Sequence, residues 1–209
     1  KDWKADLDAV YAAIDENTRV VVFANPSNPI GTAISNKDLH EFVKKVPKST
    51  LVVIDEAYNE FNADNADYED TAHYLSDCPN LVISRTFSKA YGLAGLRIGY
   101  MLTNPEIASL LNRLRAPFNV NLIALEAAIA AIDDEEHLRK VVENNTYQRA
   151  RYAEFCKQHN LFMIPSCANF VAIDFSGHDA QKIAADLLHN GLIVRPLLGY
   201  KLKDILRIS

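Results

Sequence analysis

Three short apolar runs set the frame of this chain: Val20-Val-Val-Phe-Ala24, Leu51-Val-Val-Ile54 and Leu81-Val-Ile-Ser84. Each is continuously apolar rather than alternating, which suits strands of a parallel sheet buried on both faces. They begin about 30 residues apart, the length of a strand-helix-strand unit. Leu7, Val10, Tyr11 and Ile14 share one helical face ahead of the first run. Between the first two runs, Ser35-Asn-Lys-Asp38 reads as a capping box. Leu39, Phe42, Val43 and Val46 form the apolar face behind it, and Pro47 ends that helix. A weaker helical signal covers Thr71 to Ser76. The fourth run, Ile98 to Leu102, follows Ser84 too closely for a helical crossover, so it is expected to run antiparallel to its predecessor.

The second part of the chain reads differently. Asn104-Pro105 opens a helix with proline at its first position, Ile107, Leu110, Leu111 and Leu114 line its face, and Pro117 closes it. A helix from Leu122 to Ile132 follows. A long one, capped near Asp133 or Asp134, carries Leu138, Val141, Val142, Tyr152 and Phe155. The last segment has a strand at Asn169 to Phe175, a helix from about Asp179 to Asn190, and a stop at Gly191. Strands at Leu192 to Val194 and Ile205 to Ile208 complete it. The pattern predicts an α/β fold with a mostly parallel sheet flanked by helices, plus a small α+β unit. Residues 1–120 fall to the first and residues 121–209 to the interdomain helices and the second.

Composition narrows the function. The 209 residues are 49% hydrophobic and 23% charged, with a net charge of −5 and no basic block, which disfavours nucleic acid and anionic membranes as partners. No apolar run reaches the length of a membrane span. The three cysteines are scattered, without a CxxC pair, as expected of reduced thiols in a cytoplasmic protein. The six histidines lack metal-ligand spacing, so no metal site is expected.

Candidate chemistry gathers where the apolar runs end. Parallel strands put their carboxyl ends on one edge, where open α/β sheets bind ligands. Asn25-Pro-Ser-Asn-Pro-Ile-Gly-Thr32 follows the first run, Asp55-Glu-Ala-Tyr58 the second and Arg85-Thr-Phe-Ser-Lys89 the third. The topology thus brings an amide, a carboxylate, a phenol, two hydroxyls and a lysine to one crevice. Taken singly, Asn28 reads as a turn residue, Asp55 as a cap, Tyr58 as packing and Arg97 as half of an ion pair. Their coincidence at three strand ends favours a site.

NPSNPIGT, IDEAY and RTFSKAYGLAGLRIG resemble, in order and spacing, the motifs of pyridoxal 5'-phosphate-dependent aminotransferases of fold type I. APFNVN, SCANFVAIDF, GLIVRP and LRIS extend the resemblance, which points to the histidinol-phosphate aminotransferase group and covers nearly the whole chain. It implies that Lys89 holds the cofactor covalently and shuttles a proton. Asp55 keeps the pyridine nitrogen protonated, Asn28 and Tyr58 hydrogen-bond the ring oxygen, and Thr86, Ser88 and Arg97 hold the phosphate. Arg207 is implied to bind the substrate α-carboxylate, and Arg195 to help read a substrate phosphate. The implied reaction moves an amino group between a small-molecule donor, histidinol phosphate, and the 2-oxoglutarate/glutamate pair, in a homodimer. An aromatic amino acid aminotransferase and a phosphothreonine-type decarboxylase share this scaffold, and a non-catalytic binding module is the alternative outside enzymes. Ile30 stands where the family usually has threonine, with only a local packing effect expected. Relatives run to roughly twice this length, so earlier strands, a phosphate-binding loop, a ring-stacking aromatic and a final helix are expected outside this chain.

Overall fold

The computed structural model describes residues 3–62 and 68–209. The first half forms a four-stranded sheet in the order β1-β2-β3-β4, with β1 at Val20–Ala24, β2 at Leu51–Asp55, β3 at Leu81–Thr86 and β4 at Gly99–Thr103. The first three pair in parallel and β4 lies antiparallel to β3, as the short connection requires. Helix α1 (Leu7–Ala12) precedes β1 and α2 (Asn36–Lys45) joins β1 to β2. The Thr71–Ser76 segment is a 3-10 helix.

The sheet's two faces differ, and this positions the chemistry. Val52, Ile54, Leu81 and Ile83 pack against Leu39, Phe42, Val43 and Val46 of α2 and its end, forming one buried core. Fully burying each such side chain contributes roughly 1.5–3 kcal/mol. Alternation along the strands sends Val20, Val22, Asp55, Ser84 and Met101 to the other face. That face is open: Val22 is 64% and Met101 56% exposed.

Helices α3 (Pro105–Leu114), α4 (Leu122–Ile132) and α5 (Glu135–Gln158) follow. Each start is capped by a side chain read from the sequence or lying beside the residue read. The side-chain oxygens of Ser35, Asn104, Asn121 and Asp134 accept from the backbone N–H groups of Asp38, Ile107, Ala124 and His137. Each such cap contributes about 1 kcal/mol. Helix α3 ends at Leu114, ahead of Pro117, with the Arg115 backbone already extended.

The second sheet is antiparallel in the order β5-β6-β8-β7. It comprises β5 (Phe162–Ile164), β6 (Val171–Asp174), β7 (Arg195–Leu197) and β8 (Leu202–Ile208), with helix α6 (Ala180–His189) between β6 and β7. The predicted strand at Leu192 to Val194 is absent. Gly191 adopts φ +77° and the Leu192 N–H donates to the Leu187 carbonyl, so these residues turn off the end of α6. The strand begins at Arg195 instead, on the sheet edge, the place in a sheet where proline is tolerated.

The two sheets are joined through the loop after β1. The Cys167 N–H donates to the Gly31 carbonyl at 2.7 Å. Gly31 sits at φ +88°, and a Cβ there would lie 2.2 Å from Ser166 Oγ. Ile30 is more than a local packing residue: it reaches the core of the second sheet, against Ile164, Ala172, Leu197 and Ile205. A second cluster joins Tyr58, Phe61 and Ala90 to Ala168 and Phe170, with Leu138, Val141 and Val142 of α5 behind them.

Candidate active site

The carboxyl ends of β1, β2 and β3 meet as the topology demands. Asp55 closes β2, level with Ala24 and Ser84. Its Oδ1 accepts from the Ala57 N–H at 3.1 Å and from Ser84 Oγ at 3.3 Å. Both bonds fall on one carboxylate oxygen, on the open face of the sheet.

A continuous set of side chains crosses from the first sheet to the second. Lys89 Nζ stands 5.4 Å from the centre of the Tyr58 ring. Asn28 Nδ2 donates to the Tyr58 hydroxyl at 3.2 Å. Arg207 Nη1 donates to Asn28 Oδ1 at 2.9 Å, spanning residues 179 apart in sequence. Phe170 backs this set: its ring meets Tyr58 edge-on at 5.1 Å and carries the Arg207 guanidinium 4.9 Å above it. Arg207 Nε is buried with no hydrogen-bond partner among the described residues.

Thr86, Ser88 and Arg97 form the second grouping. The Ser88 N–H donates to Thr86 Oγ1 at 3.1 Å, which folds the turn after β3. Arg97 ends a 3-10 turn (Ala94–Leu96) in the left-handed conformation. Its Nη1 donates to the Ala94 carbonyl at 2.7 Å and lies 3.5 Å from Ser88 Oγ. The hydroxyl and guanidinium thus converge on exposed space. Gly92, between Lys89 and Arg97 in sequence, adopts φ +72°, a conformation that other residues rarely adopt.

Arg195 is exposed at the start of β7 and is the cross-strand partner of Arg207. Among the described residues, no carboxylate lies within ion-pair distance of either arginine. Two like charges placed opposite each other destabilise a strand pair unless an anion sits between or beside them. Lys89 also faces a cavity of ≈ 270 Å³ bordered by Phe61, Val141, Asn144 and Asn145.

These donors fit pyridoxal 5'-phosphate. Arg97, Ser88 and Thr86 offer a cation and hydroxyls to a phosphate. Asp55 offers an oriented carboxylate to a ring nitrogen, and Tyr58 and Asn28 offer donors to a ring oxygen. The unpartnered Nε of Arg207 suits a carboxylate.

Sequence reasoning missed the ionic cluster behind the site. On the α2 face, opposite Asp55, Arg85 donates from Nε to Glu56 Oε2 at 2.9 Å, with Nη2 2.8 Å from the same oxygen. Nη2 also reaches Asp70 Oδ1 at 2.5 Å. The Glu56 side chain is 1% and that of Arg85 10% exposed. Burial raises the Glu56 carboxyl, against the pull of Thr71 and Arg85. Arg85 is held charged, because its partners outweigh its own desolvation, so the contact is charge-assisted from the guanidinium side. The available signal was a glutamate and an arginine placed one residue beyond the matched pair Asp55 and Ser84.

Fold and site define a class. The pattern of the family "Aminotransferase class I and II" matches residues 1–209, and the chain belongs to that family. Among particular proteins, it is 47% identical to histidinol-phosphate aminotransferase 2 of Haemophilus influenzae (strain 86-028NP). It is 48% identical to histidinol-phosphate aminotransferase 1 of Mannheimia succiniciproducens. In both cases all of this chain aligns with 57% of the relative's length. A crystal structure of histidinol-phosphate aminotransferase from Sinorhizobium meliloti, in complex with pyridoxal-5'-phosphate, superposes with a TM-score of 0.88 at 37% identity. That superposition covers 98% of this chain and 56% of the other.

Proposed function

We propose that this chain carries the lysine-bearing portion of a pyridoxal 5'-phosphate-dependent aminotransferase that moves an amino group between histidinol phosphate and the glutamate/2-oxoglutarate pair. The observation that carries the reading is the side-chain set Lys89, Tyr58, Asn28 and Arg207, which links the lysine to an arginine with a free buried donor. Identity of 44–48% to histidinol-phosphate aminotransferases supports the substrate.

The cofactor, when bound, supplies a carbonyl that takes up the amino group and a pyridine ring that accepts electrons. Lys89 would anchor it, and its Nζ, once free, would take the proton from the substrate carbon and return it to the cofactor carbon that bore the carbonyl. Asp55 keeps a proton on the ring nitrogen. The Asn28 amide and Tyr58 hydroxyl donate to the ring oxygen and orient the ring. Thr86, Ser88 and Arg97 hold the phosphate. Arg207 binds the glutamate α-carboxylate and also faces the phosphate-bearing substrate, while Arg195, its neighbour across the strands, favours the substrate phosphate.

Residues 1–120 are assigned to the large cofactor-binding domain and residues 121–209 to the interdomain helices and small domain. The working form is read as a cytoplasmic homodimer. The resemblance supports both parts, and the apolar surface of α4, where Leu122 is 71% and Ile123 74% exposed, supports an interface. Among the described residues, no helix is long and apolar enough to cross a membrane.

The test is rapid mixing of the full-length enzyme with each amino donor separately. Losing a charge-assisted hydrogen bond costs about one to two decades in rate. Arg207→Ala is expected to slow both half-reactions by that factor, and Arg195→Ala to slow the histidinol phosphate half-reaction more than the glutamate one. Equal losses in Arg195→Ala would remove histidinol phosphate as the substrate and leave an amino acid aminotransferase.

A further inference from the structure

We propose that Glu56 and Arg85 are positioning residues: their buried ion pair pins the carboxyl ends of β2 and β3 together from behind, and so sets where the Asp55 carboxylate stands. This role rests on the proposed cofactor chemistry.

The argument comes from strand alternation. Asp55 and Ser84 are register partners on the open face. Glu56 and Arg85, one residue further along each strand, project from the opposite face. Two contacts therefore clamp the same pair of strands at one level, Ser84 Oγ to Asp55 in front and Arg85 to Glu56 behind. The backbone closes the frame, with the Glu56 N–H donating to the Ser84 carbonyl at 2.8 Å and the Asn25 N–H to the Asp55 carbonyl at 2.9 Å.

The front contact alone is weak: one neutral hydroxyl at 3.3 Å and one backbone N–H within a tight turn. The rear contact is charged, uses two N–H groups and is shielded from solvent, so it resists displacement far more strongly. Gly99 shows how tightly this end of the sheet is drawn, since a Cβ there would lie 2.7 Å from the Arg85 carbonyl oxygen. Arg85 also opens the segment that leads to Lys89, so the same pair ties the lysine's strand to the carboxylate's strand. Asp70 completes the charge balance from the far side, at the start of the 3-10 helix, where it bonds the outer edge of the Arg85 guanidinium and makes no contact with Asp55.

Isosteric replacement separates positioning from stability. A buried ion pair replaced by apolar side chains of similar length keeps its packing and is often neutral for stability. Full-length Glu56→Met/Arg85→Met protein, the single variant Glu56→Gln and the control Asp70→Asn are loaded with pyridoxal 5'-phosphate. Cofactor dissociation and the pH midpoint of the visible absorbance of the lysine-linked cofactor are measured beside the melting temperature. Positioning predicts cofactor binding weakened about tenfold in Glu56→Gln and in the double variant, the worth of one charge-assisted hydrogen bond. It also predicts a displaced absorbance midpoint in both, even where the double variant melts like wild type, and a wild-type midpoint in Asp70→Asn. Wild-type protein that takes up no cofactor refutes the proposed function and this role with it. Wild type that binds cofactor, with a double variant matching it in both cofactor readouts, refutes this role alone. Should Glu56→Gln fail to fold, the double variant decides.

Discussion

Replacing Glu60 by glutamine should abolish one specific slope in stability against pH. Glu60 lies in the 3-10 helix (Asn59–Asn62) just after Tyr58, and its Oε2 is buried without a hydrogen-bond partner among the described residues. Burial lifts its carboxyl from 4.5 to about 7, with nearby Glu56 adding to the rise and Arg85 opposing it. The folded protein therefore keeps this proton where the unfolded chain has lost it. The stabilisation is complete below about 4.5 and disappears as pH rises to about 7. The gap from 4.5 to about 7, at about 1.4 kcal/mol per pH unit, sets a ceiling of about 3.4 kcal/mol. The side chain is only partly buried, so about 2 kcal/mol is expected after solvent screening. Glu60→Gln is neutral at every pH. It should match the wild type near pH 4 and exceed it by that amount at pH 8, in urea unfolding followed by circular dichroism. Taking the difference between the two proteins cancels other titrating groups. Parallel stability curves from pH 4.5 to 8 would show that Glu60 is not desolvated as described.

Gly31→Ala should destabilise by about 2 kcal/mol or more, because a Cβ meets Ser166 Oγ at 2.2 Å on a left-handed backbone; a urea midpoint unchanged from wild type would contradict the close approach of the two sheets. Asp77 tests the opposite pH sign: Lys44 at 2.8 Å and His40 at 3.0 Å hold its carboxyl down at about 2. Its stabilisation is present above about 3.8 and lost as pH falls towards about 2, so Asp77→Asn should flatten the acid limb of the stability curve measured between pH 5 and 2.

Local chemistry determined much of this protein from sequence alone. Continuous apolar runs at regular spacing point to strands of a parallel sheet, and the three runs do pair in parallel here, although one face of their sheet is open. Ser35, Asn104 and Asp179 mark helix starts because a side-chain oxygen two or three residues upstream of a bare N–H acts within one turn. The gathering of Asn28, Asp55 and Lys89 near one edge follows from the same parallel order.

Only the tertiary structure decided what depends on distant partners. Leu192 to Val194 has strand composition, yet the backbone hydrogen bond to Leu187 keeps it at the end of α6 and moves the strand to Arg195. The three-residue β5 exists because β6 offers it an edge, not because Phe162 to Ile164 stands out by itself. Ile30 carries only a local packing expectation in sequence, yet in space it packs, partly buried, against the core of the other sheet. The bond from Arg207 to Asn28 and the burial of Glu56 against Arg85 were invisible for the same reason. A side chain's partner is set by which residues the folded backbone brings within about 3 Å, and a single sequence records spacing along the chain, not across it.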